Sequence, residues 1–253
     1  MRIFLKTEDE IILLRAASQL ATRALIEVGR HVVPRLALSH LRNKVINAVM
    51  RTVPTESNLG KEALSSDTEF TFFVNGAYIE PSLEGECMLC EGDWLTVNCW
   101  VCLNGYYSFG AHTFIVGSSQ DDEPMISTLR DMLRQVVRRA SAGHSIKEMS
   151  RTVYSLHSHD PYVLQKTFGH GVGRNRVENP ILRMNPGVND TVLLKEGMCL
   201  VIALAFKHGR SHLIKPRLMH ESTFHNPFVP FGTTVVVRPG RPEILTSFET
   251  IVK

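Results

Sequence analysis

Twice along this chain a pair of helical apolar periods gives way to a run of β-formers, and that repeated order restricts the available folds more than any other feature. Thr7 and Glu10 have the spacing of a capping box, and Ile11, Leu14, Ala17, Ala21, Leu25 and Val28 then recur at helical intervals. Together they predict a helix over about 7–30. Pro34 interrupts that period, and Ser39, Leu41, Val45, Ile46, Val49 and Met50 predict a second helix ending near Val53. Residues 54–69 are polar and aperiodic and read as a loop before a short strand at Phe70–Val74. Trp94, Val97, Trp100, Val101 and Leu103 lead to Asn104-Gly105 and then Tyr106–Val116, the pattern of an antiparallel hairpin.

The plan then repeats. Met125, Leu129, Met132, Leu133, Val136 and Val137 mark one helix, and Ser145 with Glu148 opens another. Strands are expected at Val163–Phe168, Met198–Phe206, Ser211–Met219, Thr233–Arg238 and Glu243–Phe248. The order reads as an α+β fold in one domain, residues 1–253, with two similar halves sharing a curved antiparallel sheet and helices on its outer face.

Composition sets further bounds. With 253 residues and 43% apolar content the chain can bury a large core, and a net charge of +3 is too small to suggest nucleic acid as a partner. The amino-terminal Met-Arg-Ile-Phe-Leu-Lys runs straight into acidic residues, so a secretory leader is not expected and a cytoplasmic location is. The longest apolar run, Met198–Phe206, is far below the roughly 20 residues of a membrane-spanning helix. Five cysteines are then expected as reduced thiols.

A collinear set of short motifs adds a family resemblance. Phe-Leu-Lys-Thr-Glu-Asp-Glu-Ile at 4–11, Gly92-Asp93, Asn104-Gly105-Tyr106, Thr113-Phe114, Gly169-His170-Gly171-Val172-Gly173-Arg174, Glu178 with Pro180, Glu196-Gly197-Met198 and Glu243-Ile244-Leu245-Thr246 span nearly the whole chain. In order and approximate spacing they resemble the methionine aminopeptidase family. The resemblance implies a pita-bread fold with the site on the concave face of the sheet. It also implies a peptidase chemistry in which two divalent ions (Co, Mn, Fe or Zn), held by two aspartates, a histidine and two glutamates, activate a water.

Carried over residue by residue, those five ligand positions fall on Asn98, Phe109, His170, Ala203 and Gly232. Only His170 keeps a metal-ligating side chain of the family's kind. Four formal negative charges are gone, and at about 4 kcal/mol for each opposite-charge pair 4 Å apart one imidazole cannot offset the loss. No metal is therefore expected. The family's two auxiliary histidines fall on Glu80 and Val177, and Arg176 stands where the family lines its methionine pocket. The expectation is a catalytically inactive pseudo-peptidase that binds a peptide N-terminus or a protein partner, with Phe109 plugging the ancestral site. Two alternatives stay open: a metal-independent pita-bread enzyme with His170 as base and Glu178 beside it, or a residual aminopeptidase using Asp93, Glu196 or Glu221 as ligands.

Two other patterns stand out. Cys87-Met-Leu-Cys90 and Cys99-Trp-Val-Cys102 have zinc-site spacing, but residues three apart on a strand face opposite ways, so packing is the better reading. Arg130, Arg134, Arg138 and Arg139 form a basic stripe on one helix, which is most simply a solvated face and otherwise a contact for protein or RNA.

Overall fold

The computed structural model describes residues 2–52, 64–117, 124–157, 163–164, 166–185, 192–207 and 228–247. Helix α1 spans Glu8–His31 and begins where the capping box places it: the Glu10 backbone N–H donates to Thr7 Oγ1 and the Thr7 N–H donates to the Glu10 carboxylate. Helix α2 follows at Leu38–Thr52. In the second half α3 spans Pro124–Arg138 and α4 spans Ile146–His157, the latter opened by a reciprocal Ser145–Glu148 cap. The apolar set expected on α1 is buried. Among the described residues no helix is long and apolar enough to cross a membrane.

The strands are β1 (Glu69–Val74), β2 (Ala77–Ile79), β3 (Trp94–Leu103), β4 (Tyr106–Ile115), β5 (Val163–Leu164), β6 (Thr167–Gly171), β7 (Glu178–Arg183), β8 (Cys199–Lys207), β9 (Phe228–Val236) and β10 (Glu243–Ile244). They form one ten-stranded antiparallel sheet in the order β2-β1-β3-β4-β9-β8-β6-β7, with β10 on β9 and β5 on β8. The first half thus supplies one side of the sheet and the second half the other, meeting where β4 touches β9. Helix α1 packs on β3 and β4, and α3 packs on β8 and β9, so each half is covered on its outer face by its own helices.

Alternation along β3 shows how the two faces separate. Leu95, Val97, Cys99, Val101 and Leu103 enter the helix-covered core, while Asn98 and Trp100 face the other way and remain half-buried. The hairpin turn has Asn104 at φ 49° and Gly105 at φ 76°, as a two-residue turn with both central residues left-handed requires.

Several element boundaries differ from expectation for identifiable reasons. The strand expected at Val163–Phe168 is two strands, β5 and β6, and β6 continues to Gly171 so that His170 lies within it. Strand β9 starts at Phe228 rather than Thr233, because Pro230 and Gly232, which read as loop residues, are carried inside it. Strands β2 and β7 were not foreseen. The Glu243–Phe248 strand shrinks to β10, and Ser211–Met219 lies outside the described residues.

Candidate functional site on the concave face

The sheet register brings most of the singled-out positions into one line. Asn98 pairs with Ala111, Ala111 with Gly232, and Gly232 with Ala203, a row that crosses β3, β4, β9 and β8. Phe109, two residues before Ala111 on β4, shares that face and turns its ring into the row. A methyl group added at Gly232 would lie 2.6 Å from Phe109 Cε1 and 3.0 Å from the Ala203 Cβ. The aromatic ring and the missing side chain are therefore one packing solution: the Phe109 position leaves no room for a side chain at 232 unless the ring moves.

Phe109 is held there by its backbone as well. Its N–H donates to Thr234 Oγ1 at 2.9 Å, and its carbonyl accepts from Thr234 Oγ1 and Thr246 Oγ1, each at 2.9 Å. These hydroxyl bridges fasten β4 to β9 and to the segment after β10, beside the Ala111–Gly232 register pair and the Thr113–Pro230 hydrogen bond.

Toward the mouth of the concave face the chemistry becomes polar and aromatic. Trp100 tilts against Phe109 with ring centroids 4.7 Å apart, and on its other side lies nearly parallel to the His170 imidazole, 6.1 Å away with 9° between the planes. His170 Nδ1 is 2.8 Å from the Gly171 carbonyl, which can only accept, so Nδ1 carries the proton and a neutral ring presents Nε2 as an acceptor. Burial lowers the His170 pKa from its ordinary value, opposed in part by that hydrogen bond. Asn98 Oδ1 is buried with no hydrogen-bond partner. The face thus offers two neutral acceptors.

The loop after β6 carries two arginines. Arg174 stacks over Tyr106 and pairs with Glu10, while the Arg176 guanidinium lies 5.8 Å from both the Trp100 and Tyr107 rings and 2.8 Å from Glu69. Tyr107 donates to Asp67 at 2.6 Å. The sequence singled out Arg174 and Arg176 but not their contacts with partners, which are spread over α1, three strands and the loop before β1.

Glu178 is held by the amino-terminal segment. Its carboxylate binds Lys6 Nζ at 2.6 Å, with both side chains 4% exposed, and accepts the Asn175 N–H at 3.1 Å. None of its hydrogen bonds, and none of those of His170, joins the two residues. Geometry gives the pair no shared proton. Of the other candidate ligand carboxylates, Asp93 accepts from Asn75 Nδ2 and the Cys90 N–H in a buried turn, and Glu196 is exposed and lies 3.9 Å from Arg238. Glu221 falls outside the described residues. Val177 is exposed, and Glu80 precedes a single turn at Pro81–Leu83.

Among the described residues no three His, Cys, Asp or Glu side chains gather closely enough to hold a metal ion. Cys99 is packed in the helix-side core, where burial raises its thiol pKa, and Cys102 alternates to the opposite face. The α3 stripe is broken, because Arg130 turns into the protein and Arg134 pairs with Asp131.

The architecture and the sequence both have counterparts. A methionine aminopeptidase of Clostridium perfringens is 25% identical over 248 residues, covering 96% of this chain and 98% of its own length. One from Helicobacter pylori is 28% identical over 225 residues, covering 85% and 87%. The crystal structure of methionine aminopeptidase from Thermotoga maritima superposes with a TM-score of 0.77 at 21% identity, covering 97% of this chain and all of that one, which makes this a pita-bread fold. Since the profile of metallopeptidase family M24 also matches residues 12–238, this chain belongs to that family.

Proposed function

We propose that this methionine-aminopeptidase-like protein is a pseudo-peptidase, in which metal-dependent hydrolysis has been lost and the concave face serves to bind a peptide terminus or a protein partner in the cytoplasm. The observation that carries the reading is the junction of Phe109, Ala203 and Gly232, where an aromatic ring packs against a methyl group and a bare backbone. A pair of dications needs several oxygen ligands and compensating negative charge. Asn98 offers one neutral carbonyl oxygen, His170 one imidazole nitrogen, and the other three positions no donor atom at all. These residues do not fit the two-metal group that the family would imply, so no hydrolytic step is derived through it.

What the face retains suits recognition. Neutral acceptors at Asn98 and His170 can take N–H donors, and Trp100 gives a flat apolar wall beside them. The metal-independent alternative is less supported, because the Glu178 carboxylate pairs with Lys6 rather than with His170.

The test joins metal analysis of protein purified without chelator to a methionyl-peptide cleavage assay with added cobalt or manganese. The expected outcome is less than about one tenth of an equivalent of tightly held metal and no cleavage, while peptides still perturb the tryptophan fluorescence of a Trp94→Phe variant that keeps Trp100. Stoichiometric metal with cleavage overturns the reading; turnover that survives chelator replaces it with the metal-independent enzyme.

A further inference from the structure

We propose that Arg176 makes this face selective for a peptide whose terminal residues carry a side-chain carboxylate. The inference rests on the peptide-binding reading above and names the chemistry that the site would prefer.

Three features of Arg176 lead there. First, its place is held from two sides: the guanidinium lies 5.8 Å from both the Trp100 and Tyr107 ring centroids, and its terminal nitrogens bond Glu69 and the Asp67 carbonyl. Trp100 in turn lies against His170, which puts a permanent positive charge one ring away from the neutral acceptor of the candidate site. Second, the donor set is only partly used. One terminal nitrogen bonds Glu69 and the other the Asp67 carbonyl, and neither bond uses Nε–H. Third, the anion now held is held loosely. The Glu69 side chain is 48% exposed and that of Arg176 is 37% exposed, so their pair is a solvated one that contributes little and can be exchanged.

A planar guanidinium that is pre-oriented, incompletely paired and reachable from water is suited to a carboxylate, which it can engage with two parallel hydrogen bonds. A lysine or an apolar thioether in the same place would meet a charge of the wrong sign or a polar rim. On this view Glu69 is an internal stand-in for the ligand's carboxylate, and binding exchanges one for the other.

The experiment compares C-terminally amidated tetrapeptides that begin with Glu, Gln, Met or Lys, read through calorimetry on the full chain and through Trp100 fluorescence in a Trp94→Phe variant of it. The Glu peptide is expected to bind about tenfold more tightly than its Gln isostere, the difference made by one charge-assisted hydrogen-bonded contact. That ratio should collapse in Arg176→Gln and invert toward the Lys peptide in Arg176→Glu. Glu69→Gln, which removes the internal competitor, should tighten the Glu peptide by a few-fold, on the order of a weak surface pair. A merely structural Arg176 would weaken all four peptides alike and leave the ratio unchanged, which would overturn the proposal while sparing the binding reading. If none of the four peptides binds, both fall.

Discussion

The two ends of the concave face are built on opposite principles. At the seam, the buried Phe109 ring packs against Gly232 and the partly buried Ala203, and hydroxyls of Thr234 and Thr246 clamp the strand that carries the ring. At the rim, Arg176, Trp100, Tyr107 and Glu69 meet through stacking and a half-exposed ion pair. The seam has spent its side chains on stability, whereas the rim keeps donors within reach of water.

The largest effect tests whether the rim is as loosely built beneath as it is on top. Its loop hangs from the buried Lys6–Glu178 pair, so Lys6→Met leaves an uncompensated carboxylate and is expected to cost about 3–5 kcal/mol in urea unfolding. A loss below about 1 kcal/mol would mean that the pair resembles a surface bridge and that the rim has no firm anchor. At the seam, Phe109→Ala removes an aromatic side chain only 8% exposed, for an expected loss of about 3 kcal/mol. Gly232→Ala forces a methyl against the ring and is expected to cost about 1–3 kcal/mol by overpacking. Because both act on one space, the double variant Phe109→Ala/Gly232→Ala should be less damaged than the sum of the two. Strict additivity would break the claim that they are one packing solution.

How much of this was readable in advance follows the same division. The seam was legible only through the family resemblance, which singled out Asn98, Phe109, Ala203 and Gly232; that Asn98, Ala203 and Gly232 share one row comes from the strand register. Helix starts were legible too, since Thr7 and Ser145 carry their partners three residues on. Strand β2 was missed although Asn75-Gly76 is the same turn dipeptide as Asn104-Gly105, with φ values of 53° and 81°; its three residues are too few to show a period. The start of β9 was hidden by Pro230 and Gly232, whose presence in a strand depends on what β4 offers across the seam. The rim was illegible for a deeper reason: the contacts of Arg176 with Glu69 and Trp100 join residues 107 and 76 positions apart, and no local pattern encodes them.

Smaller effects sharpen the rim itself. Glu69→Gln should change global stability by less than about 1 kcal/mol, since the pair it breaks is solvated. A larger loss in thermal unfolding would show that Glu69 is structural, and would weaken its reading as an exchangeable stand-in.

The smallest effect is a pH dependence at His170, and its sign follows from burial. The folded ring has its pKa below the ordinary value of 6.5, so as pH falls the unfolded chain takes up this proton before the folded one does. Stability from keeping the ring neutral is therefore fully present above pH 6.5 and is lost as the pH drops from there toward the folded pKa. His170→Gln removes that proton uptake while leaving the remaining histidines to titrate. Between pH 7.5 and 5.5, a window of our choosing about one unit either side of the ordinary histidine pKa, the native chain should lose more of its urea midpoint than the variant. Equal losses would place the His170 ring in water rather than against Trp100, and would remove the neutral acceptor on which the contrast between rim and seam depends.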